Sequence, residues 1–228
     1  MSGLWRRAID ALRARPSERG FTLVEVMVAT SLLSVVLASA FGVLGVMQNQ
    51  SVKTSDRFSA TSEAQTIADR ITKDLRTAVA PSSTAAAFAS ADQNDVVFYA
   101  NLANLNTGAG PTRLHAYVSL VPATGVYVFH EDYTQPNAAL STPGNYVYTA
   151  APTTRLDGQY IQTSLPIFSY YDASTPPSLI PTPITTTADL RSIDQVCINL
   201  RVRVHVTSSS VVINTCVHIR NVDYNPNG

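Results

Sequence analysis

The first fifty residues divide into a basic segment and an apolar one. Arginines stand at positions 6, 7, 13, 15 and 19, and the run that follows, residues 21–47, holds a single charged residue, Glu25. About 20 apolar residues are enough to span a bilayer, and basic residues before such a segment hold that end in the cytoplasm. The pattern predicts one membrane-spanning helix, with the rest of the chain outside the cytoplasm.

Beyond residue 47 apolar residues recur at spacings of three and four, the period of a helix with one apolar face. These positions are Ala60, Ala64, Ile67, Ile71, Leu75 and Val79. Because Pro81 cannot continue a helix, we predict a helix over residues 21–79, with a transmembrane half at 21–50 and an amphipathic half at 51–80. Arg70 and Asp74, four residues apart, are expected to pair on its exposed face.

After residue 80 the apolar period shortens to two, which is typical of β-strands. The predicted strands are 96–99, 114–121, 126–130, 146–149, 160–162 and 167–171, and the turns between them lie at 108–111, 124–125, 143–145 and 157–158. Residues 82–91 are rich in alanine and serine and residues 172–189 in proline. Both segments are therefore expected to be loops.

The most regular alternation lies near the C-terminus. Residues 196–206 and 211–220 predict a hairpin that turns at 207–210 and covers the apolar stripe of the long helix with one face. The fold class is α+β: a long N-terminal helix packed on a C-terminal antiparallel sheet, with a β-rich domain over residues 81–228.

Cys197 and Cys216 are the two cysteines of the chain, and outside the cytoplasm such a pair can form a disulfide. A turn at 207–210 would place them four residues out of register, about 13 Å apart along the strands. Disulfides need Cα atoms within about 7 Å. The bond therefore requires a bulge, a shifted turn or another strand neighbour, and two free buried thiols are the alternative.

A carboxylate within an apolar helix is costly and needs a partner. The run that holds it, Arg19-Gly20-Phe21-Thr22-Leu23-Val24-Glu25, resembles the class III signal of type IV pilins and type II secretion pseudopilins. The resemblance implies that a prepilin peptidase cuts between Gly20 and Phe21, which removes the leader 1–20, and that Phe21 is then N-methylated. It also implies that Glu25 pairs with the α-amine of a neighbouring subunit, or of its own chain, during filament assembly.

The same resemblance implies a long N-terminal helix and a route from the inner membrane into a periplasmic pseudopilus or a surface pilus. The implied partners are other pilins or pseudopilins, an inner-membrane assembly platform, and membrane lipid before assembly. Residues 69–76 and 168–172 are similar to segments of J-type minor pseudopilins and W-type minor pilins, which implies a minor subunit at or near the filament tip.

Three alternatives to a minor filament subunit stay open. A DNA-binding or adhesive minor pilin is one, and a major pilin is another. The third is a signal-anchored or secreted protein, because Ala38-Ser39-Ala40 also offers a conventional cleavage site that would leave Phe41 first.

Motifs for catalysis or metal binding are not evident in the sequence. It lacks a nucleophile elbow, a P-loop and a dinucleotide fingerprint, the four histidines lack metal-ligand spacing, and Glu131-Asp132 lacks a surrounding loop of oxygen ligands. We therefore expect no enzyme activity, metal or cofactor. Net charge is zero, so nucleic acid has only a small basic face to contact, formed by Arg201, Arg203 and Arg220 with His205 and His218.

Overall fold

The computed structural model describes residues 20–102, 110–161, 166–203, 210–219 and 222–223. The chain forms two compact units, Met1–Ser51 and Val52–Gly228. Helix α1, Leu23–Leu75, begins in the first unit and ends in the second. The prediction that it continues to residue 79 was wrong: Ala78 N donates to the Leu75 carbonyl in a tight final turn, and Val79 enters a strand.

Within the first unit the helix is exposed from Leu23 onward, and large apolar side chains such as Leu32 and Val35 are more than 60% exposed. This part of α1 reaches a mean hydropathy of 2.2 over 18 residues, and among the described residues α1 is the one helix that is long and apolar enough to cross a membrane. An apolar surface of this kind is stable only in lipid or against another protein.

The second unit is built on an antiparallel sheet. The strands are β1 (Val79–Ala80), β2 (Phe88–Ala91), β3 (Asp95–Ala100), β4 (Thr112–Val121), β5 (Val126–Thr134), β6 (Thr153–Ile161), β7 (Phe168–Tyr171), β8 (Leu179–Ile180), β9 (Gln195–Val202), β10 (Val211–His218) and β11 (Val222–Asp223), and a short helix α2 (Thr187–Ser192) precedes β9. The large sheet runs β2-β3-β4-β5-β6-β9-β7-β8, with β10 also paired to β9, while β1 and β11 pair separately in parallel.

The predicted apolar stripe of α1 forms one side of the core in the second unit. Ala60, Ala64, Ile67, Ile71 and Leu75 are all at most 1% exposed. Inward-facing residues of the sheet complete this core, including Val96, Phe98, Leu114, Ala116, Phe129, Val196, Ile198, Leu200 and Val202. The α+β class is confirmed, with the amphipathic half of the helix packed on an antiparallel sheet.

Several strand predictions need correction. Residues 146–149 form no strand; they lie in a loop in which Tyr148 donates to the Pro111 carbonyl. The expected turn at 157–158 lies inside β6, and the loop expected at 82–91 contains β2. The proline-rich segment 172–189 was predicted to be a loop, but it contains strand β8 and the start of helix α2. Thr186 caps α2, since its side chain accepts a hydrogen bond from Asp189 N.

The register of the C-terminal hairpin differs from the prediction, and the difference brings the cysteines together. Val202 pairs with Val211, so Cys197 lies directly opposite Cys216. Their Cα atoms are 4.0 Å apart and the sulfurs are bonded. Pairing in the described residues covers Gln195–Val202 and Val211–His218. Arg203 and Ile219, predicted to be strand residues, are not in the strands, and residues 204–209 and 220 lie outside the described residues.

Close approach of α1 to the sheet depends on Gly158 of β6. A Cβ atom on Gly158 would clash with Ile67 Cδ1 and lie 3.2 Å from Ile67 Cγ1. A side chain at residue 158 would therefore require Ile67 to shift from its present position in the core.

We predict that Gly158→Ala destabilises the folded domain by about 1–3 kcal/mol, since overpacking forces Ile67 aside. Ile67→Val removes the clashing Cδ1 and alone costs about 0.5–1.5 kcal/mol. Denaturant unfolding of the mature protein in detergent, followed by circular dichroism, measures both. The double variant should lose less stability than the sum of the two single variants; strict additivity would show that this contact does not limit the packing.

Candidate processing and assembly site

The candidate cleavage site lies just before the first turn of α1. Gly20 and Phe21 are outside the helix, and Phe21 is 80% exposed. Apart from its chain neighbours, no atom of the described residues lies within 4 Å of a Cβ built on Gly20. The peptide bond between them is therefore in non-helical, accessible backbone, which a peptidase can bind in extended form.

Thr22 forms the N-cap of α1. Its Oγ1 accepts a hydrogen bond from Glu25 N at 3.2 Å, and its carbonyl accepts from Val26 N at 3.2 Å. A threonine followed three residues later by glutamate is the spacing of a capping box. The helix therefore begins where the cap is made, directly after the proposed new N-terminus.

This places Glu25 in the first turn of α1, where the helix dipole favours negative charge. Glu25 thus has a local role that the sequence prediction missed, although the signal was present as Thr22-x-x-Glu25 ahead of an apolar run. A carboxylate at this position is partly stabilised by its own helix before any other chain approaches.

The other polar side chains of the apolar segment are satisfied within the helix. Thr30 Oγ1 donates to the Val26 carbonyl at 2.9 Å, Ser34 Oγ to the Thr30 carbonyl at 3.0 Å, and Ser39 Oγ to the Val35 carbonyl at 2.7 Å. Such bonds remove the cost of placing hydroxyl groups in hydrocarbon. Among the described residues of this segment, Glu25 is the single charged side chain.

The C-terminal candidates lie on the outer face of the β9–β10 hairpin. The disulfide is on this face, as are Arg201 of β9 and His218 of β10, which stand at opposite ends of the paired strands. His218 Nδ1 is 3.2 Å from Asp194 Oδ2. Arg203 is half-buried, and His205 and Arg220 lie outside the described residues.

Comparison with known proteins matches the N-terminal segment. Residues 15–41 match the family model described as the prokaryotic N-terminal methylation motif. No curated protein matches the chain, and no solved structure does.

The matched residues contain the Gly20–Phe21 bond, the Thr22 cap, Glu25 and most of the apolar segment. This motif stands at the start of a long apolar helix that an antiparallel sheet follows, which is a pilin-like α+β architecture. The chain therefore carries a type IV pilin-type N-terminal methylation motif.

A second group of charged residues lies inside the globular unit. Asp74 and Glu131 are each 1% exposed. Arg155 of β6 lies between them, with Nη1 3.1 Å from Asp74 Oδ2 and 3.4 Å from Glu131 Oε1, and Arg70 Nε is 3.6 Å from Asp74 Oδ2. We call these four residues the buried charge cluster.

The buried charge cluster corrects the prediction that Arg70 and Asp74 pair on an exposed helix face. The pair exists, but Asp74 is buried, because strands β5 and β6 bring Glu131 and Arg155 over the last turns of α1. Glu131 faces inward while its neighbour Asp132 faces outward and accepts a hydrogen bond from Tyr117. Helical periodicity alone could not reveal a buried carboxylate whose partner is 81 positions away in the chain.

Burial, and after it the hydrogen bond and negative charge of Asp74, raise the pKa of Glu131 to about 8, although the charges of Arg155 and Arg70 oppose the rise. Two buried carboxyl groups in contact favour holding one proton between them. The folded pKa lies above the unfolded value of 4.5. The stabilisation from protonated Glu131 is therefore complete below about pH 4.5 and is lost as pH rises through about 8.

We predict that the melting temperature of the globular unit falls between about pH 5 and about pH 8, because the folded protein holds a proton on Glu131 that the unfolded chain has released. Glu131→Gln keeps the hydrogen-bonding shape without a titrating group and should flatten this fall. Thermal melts of the mature protein in detergent measure it, with exposed Asp69→Asn on the same helix as the control. A wild-type slope that persists in Glu131→Gln would contradict the assignment.

Proposed function

We propose that this chain is a minor pilin or pseudopilin that a prepilin peptidase processes and that enters a type IV pilus or secretion pseudopilus at or near its tip. The methylation motif at residues 15–41 carries the proposal. The accessible Gly20–Phe21 bond, the capped helix start and the apolar helix that follows it support the same function, since each is needed for cleavage and lateral assembly in the membrane.

Processing precedes assembly in this proposal. The peptidase hydrolyses the Gly20–Phe21 peptide bond and leaves a free α-amine on Phe21, which a methyl donor then methylates. The basic leader leaves with its arginines. The new chain has a cationic terminus four residues before Glu25, on a helix that otherwise presents only apolar side chains and satisfied hydroxyls.

The subunits then pack helix against helix, and Glu25 pairs with the α-amine of a neighbouring Phe21 or of its own chain. An unpaired buried carboxylate costs several kcal/mol, and a cation with good geometry offsets much of this. Because apolar helices slide past one another with little change in energy, one polar contact fixes the axial register, as a buried polar residue does in coiled coils.

The N-terminal motif is shared by several filament systems, so the partners of the chain distinguish between them. The proposed partners are the inner-membrane assembly platform and other pilins or pseudopilins, and the globular unit lies outside the cytoplasm. Its disulfide suits an oxidising compartment.

Immunogold labelling of native filaments with an antibody against the globular unit should mark filament ends under this proposal. Continuous labelling along the shaft would indicate a major pilin.

We predict that replacing Gly20 by a bulky residue such as Trp blocks cleavage, because the peptidase must bind backbone at a position where only hydrogen is present. Co-expression with a prepilin peptidase, followed by intact mass measurement, is the assay. The variant should remain about 2 kDa heavier than the processed chain, from about 20 leader residues at about 110 Da each. Ala40→Trp is the control, since it blocks only a conventional signal cleavage and should leave processing at Gly20 unchanged.

We also predict that Glu25 has separable capping and pairing roles. Glu25→Gln keeps a side chain that suits the third position of a capping box but removes the charge, so it should be cleaved normally and enter filaments poorly. Thr22→Val keeps the charge and removes the cap, which costs about 1 kcal/mol of helix stability. Filament incorporation, measured by immunoblot of sheared filaments against total membrane, compares them.

Thr22→Ser is the matched control for the cap and should behave as wild type. If Glu25→Gln enters filaments as well as wild type while Thr22→Val does not, the role of Glu25 is capping, and the proposed pairing with an α-amine is wrong.

A further inference from the structure

An open pocket of about 570 Å³ lies at the C-terminal end of α1, between the helix and strands β5 and β6. Its volume is in the range of sites that bind small molecules or short peptide ends. The helix contributes Arg70 and Lys73, β6 contributes Arg155 and Thr153, and β5 contributes Tyr133. All of these residues belong to the globular unit.

The lining has an excess of positive charge. Arg70, Lys73 and Arg155 line the pocket, and Asp74 is the acidic residue among the lining residues. Lys73 is exposed, and the Arg155 side chain is only 13% exposed. An anion entering here would meet one cation that is already desolvated and two that are near the surface.

Arg155 is held in place before any ligand arrives. Asp74 and Glu131 hold its guanidinium: Nη1 is 3.1 Å from Asp74 Oδ2 and 3.4 Å from Glu131 Oε1, and Nη2 donates to Asp74 Oδ1 at 3.4 Å. Little side-chain entropy is lost when an already immobilised guanidinium binds a ligand. A planar guanidinium favours carboxylate and phosphate groups, but the carboxylate of Asp74 in the wall disfavours a doubly charged ligand.

The charged and titratable groups that face this site come from three elements. Helix α1 provides Arg70, Lys73 and Asp74, β5 provides Glu131 and Tyr133, and β6 provides Arg155. With Glu131 protonated at neutral pH, the three cations outweigh the one carboxylate. Loss of that proton adds a negative charge directly behind Arg155 and weakens the attraction for an anion.

We propose that this pocket binds a singly charged carboxylate, either of a small organic acid or of a polypeptide C-terminus. Arg155 and Lys73 provide the positive charge, and the Thr153 hydroxyl at the mouth provides a neutral hydrogen-bonding group. Tyr133 provides an apolar surface for the group that follows the carboxylate. The site is independent of the N-terminal assembly residues and adds a recognition function to the globular unit.

The test is isothermal titration of the mature full-length protein in detergent with three probes: acetate, the tripeptide Ala-Ala-Ala, and the same tripeptide with an amidated C-terminus. We expect the free-acid peptide to bind at least about tenfold more tightly than the amide, a difference of about 1.4 kcal/mol. Acetate binding as tightly as the peptide would identify a small organic acid as the ligand class. Tighter binding of the peptide would identify a polypeptide C-terminus.

Lys73→Glu should weaken binding of the free acid by about tenfold, since it reverses a charge at the mouth. Lys53→Glu makes the same change on an exposed part of α1 outside the lining and should leave binding unchanged. Circular dichroism confirms that both variants are folded. Equal loss in the two variants, or equal binding of the acid and the amide, would overturn the proposal.

The pH dependence provides a readout that nonspecific charge attraction would not give. Affinity for the free acid should fall severalfold between about pH 7 and about pH 9 as Glu131 loses its proton, and Glu131→Gln should remove this fall. An unchanged pH profile in that variant, or absence of binding at millimolar peptide, would also overturn the proposal.

Discussion

The one constraint on which the rest depends is a carboxylate in the first turn of an apolar helix. Glu25 stands in the first turn of α1, where Thr22 caps the helix and the helix dipole favours a negative charge. The same position lies directly after the Gly20–Phe21 bond. One local geometry therefore determines where the helix begins, and the proposed cleavage and pairing both involve this first turn.

A second constraint shapes the globular unit: its sheet must cover the apolar stripe of α1. Small residues on the helix and Gly158 on the sheet allow close packing, and the sheet closes over the last helical turns with charged groups inside. The buried charge cluster is expensive unless each charge has a partner. Its arrangement places Arg155 between the two carboxyl groups, so that each has a cation beside it, and the same cation lines the neighbouring pocket.

Much of this organisation could be predicted from the sequence. The apolar segment, the helical stripe from Ala60 to Leu75 and the hairpin of β4 and β5 follow from periodicity, because each element has one buried face. The register of the β9–β10 hairpin did not follow, since alternation fixes which face is buried but not which residues are opposite, and the bonded cysteines lie four positions from the expected pairing. Val79 fits the helical period and yet lies in a strand, because tertiary pairing with Val222 overrides it.

The sequence did not indicate that Asp74 and Glu131 are buried, because their ion-pair partner Arg155 is distant in the chain. A polar residue within a helical pattern, such as Asp74, is ordinarily expected to face solvent. The N-terminal site could be predicted more readily because its residues are contiguous in the sequence.

The most direct test of the proposed processing is the mass of the N-terminal peptide of the protein, purified from membranes of cells that contain a prepilin peptidase. We predict a chain that begins with N-methylated Phe21. A chain that retains Met1, or one that begins at Phe41, would contradict the proposed processing and assembly.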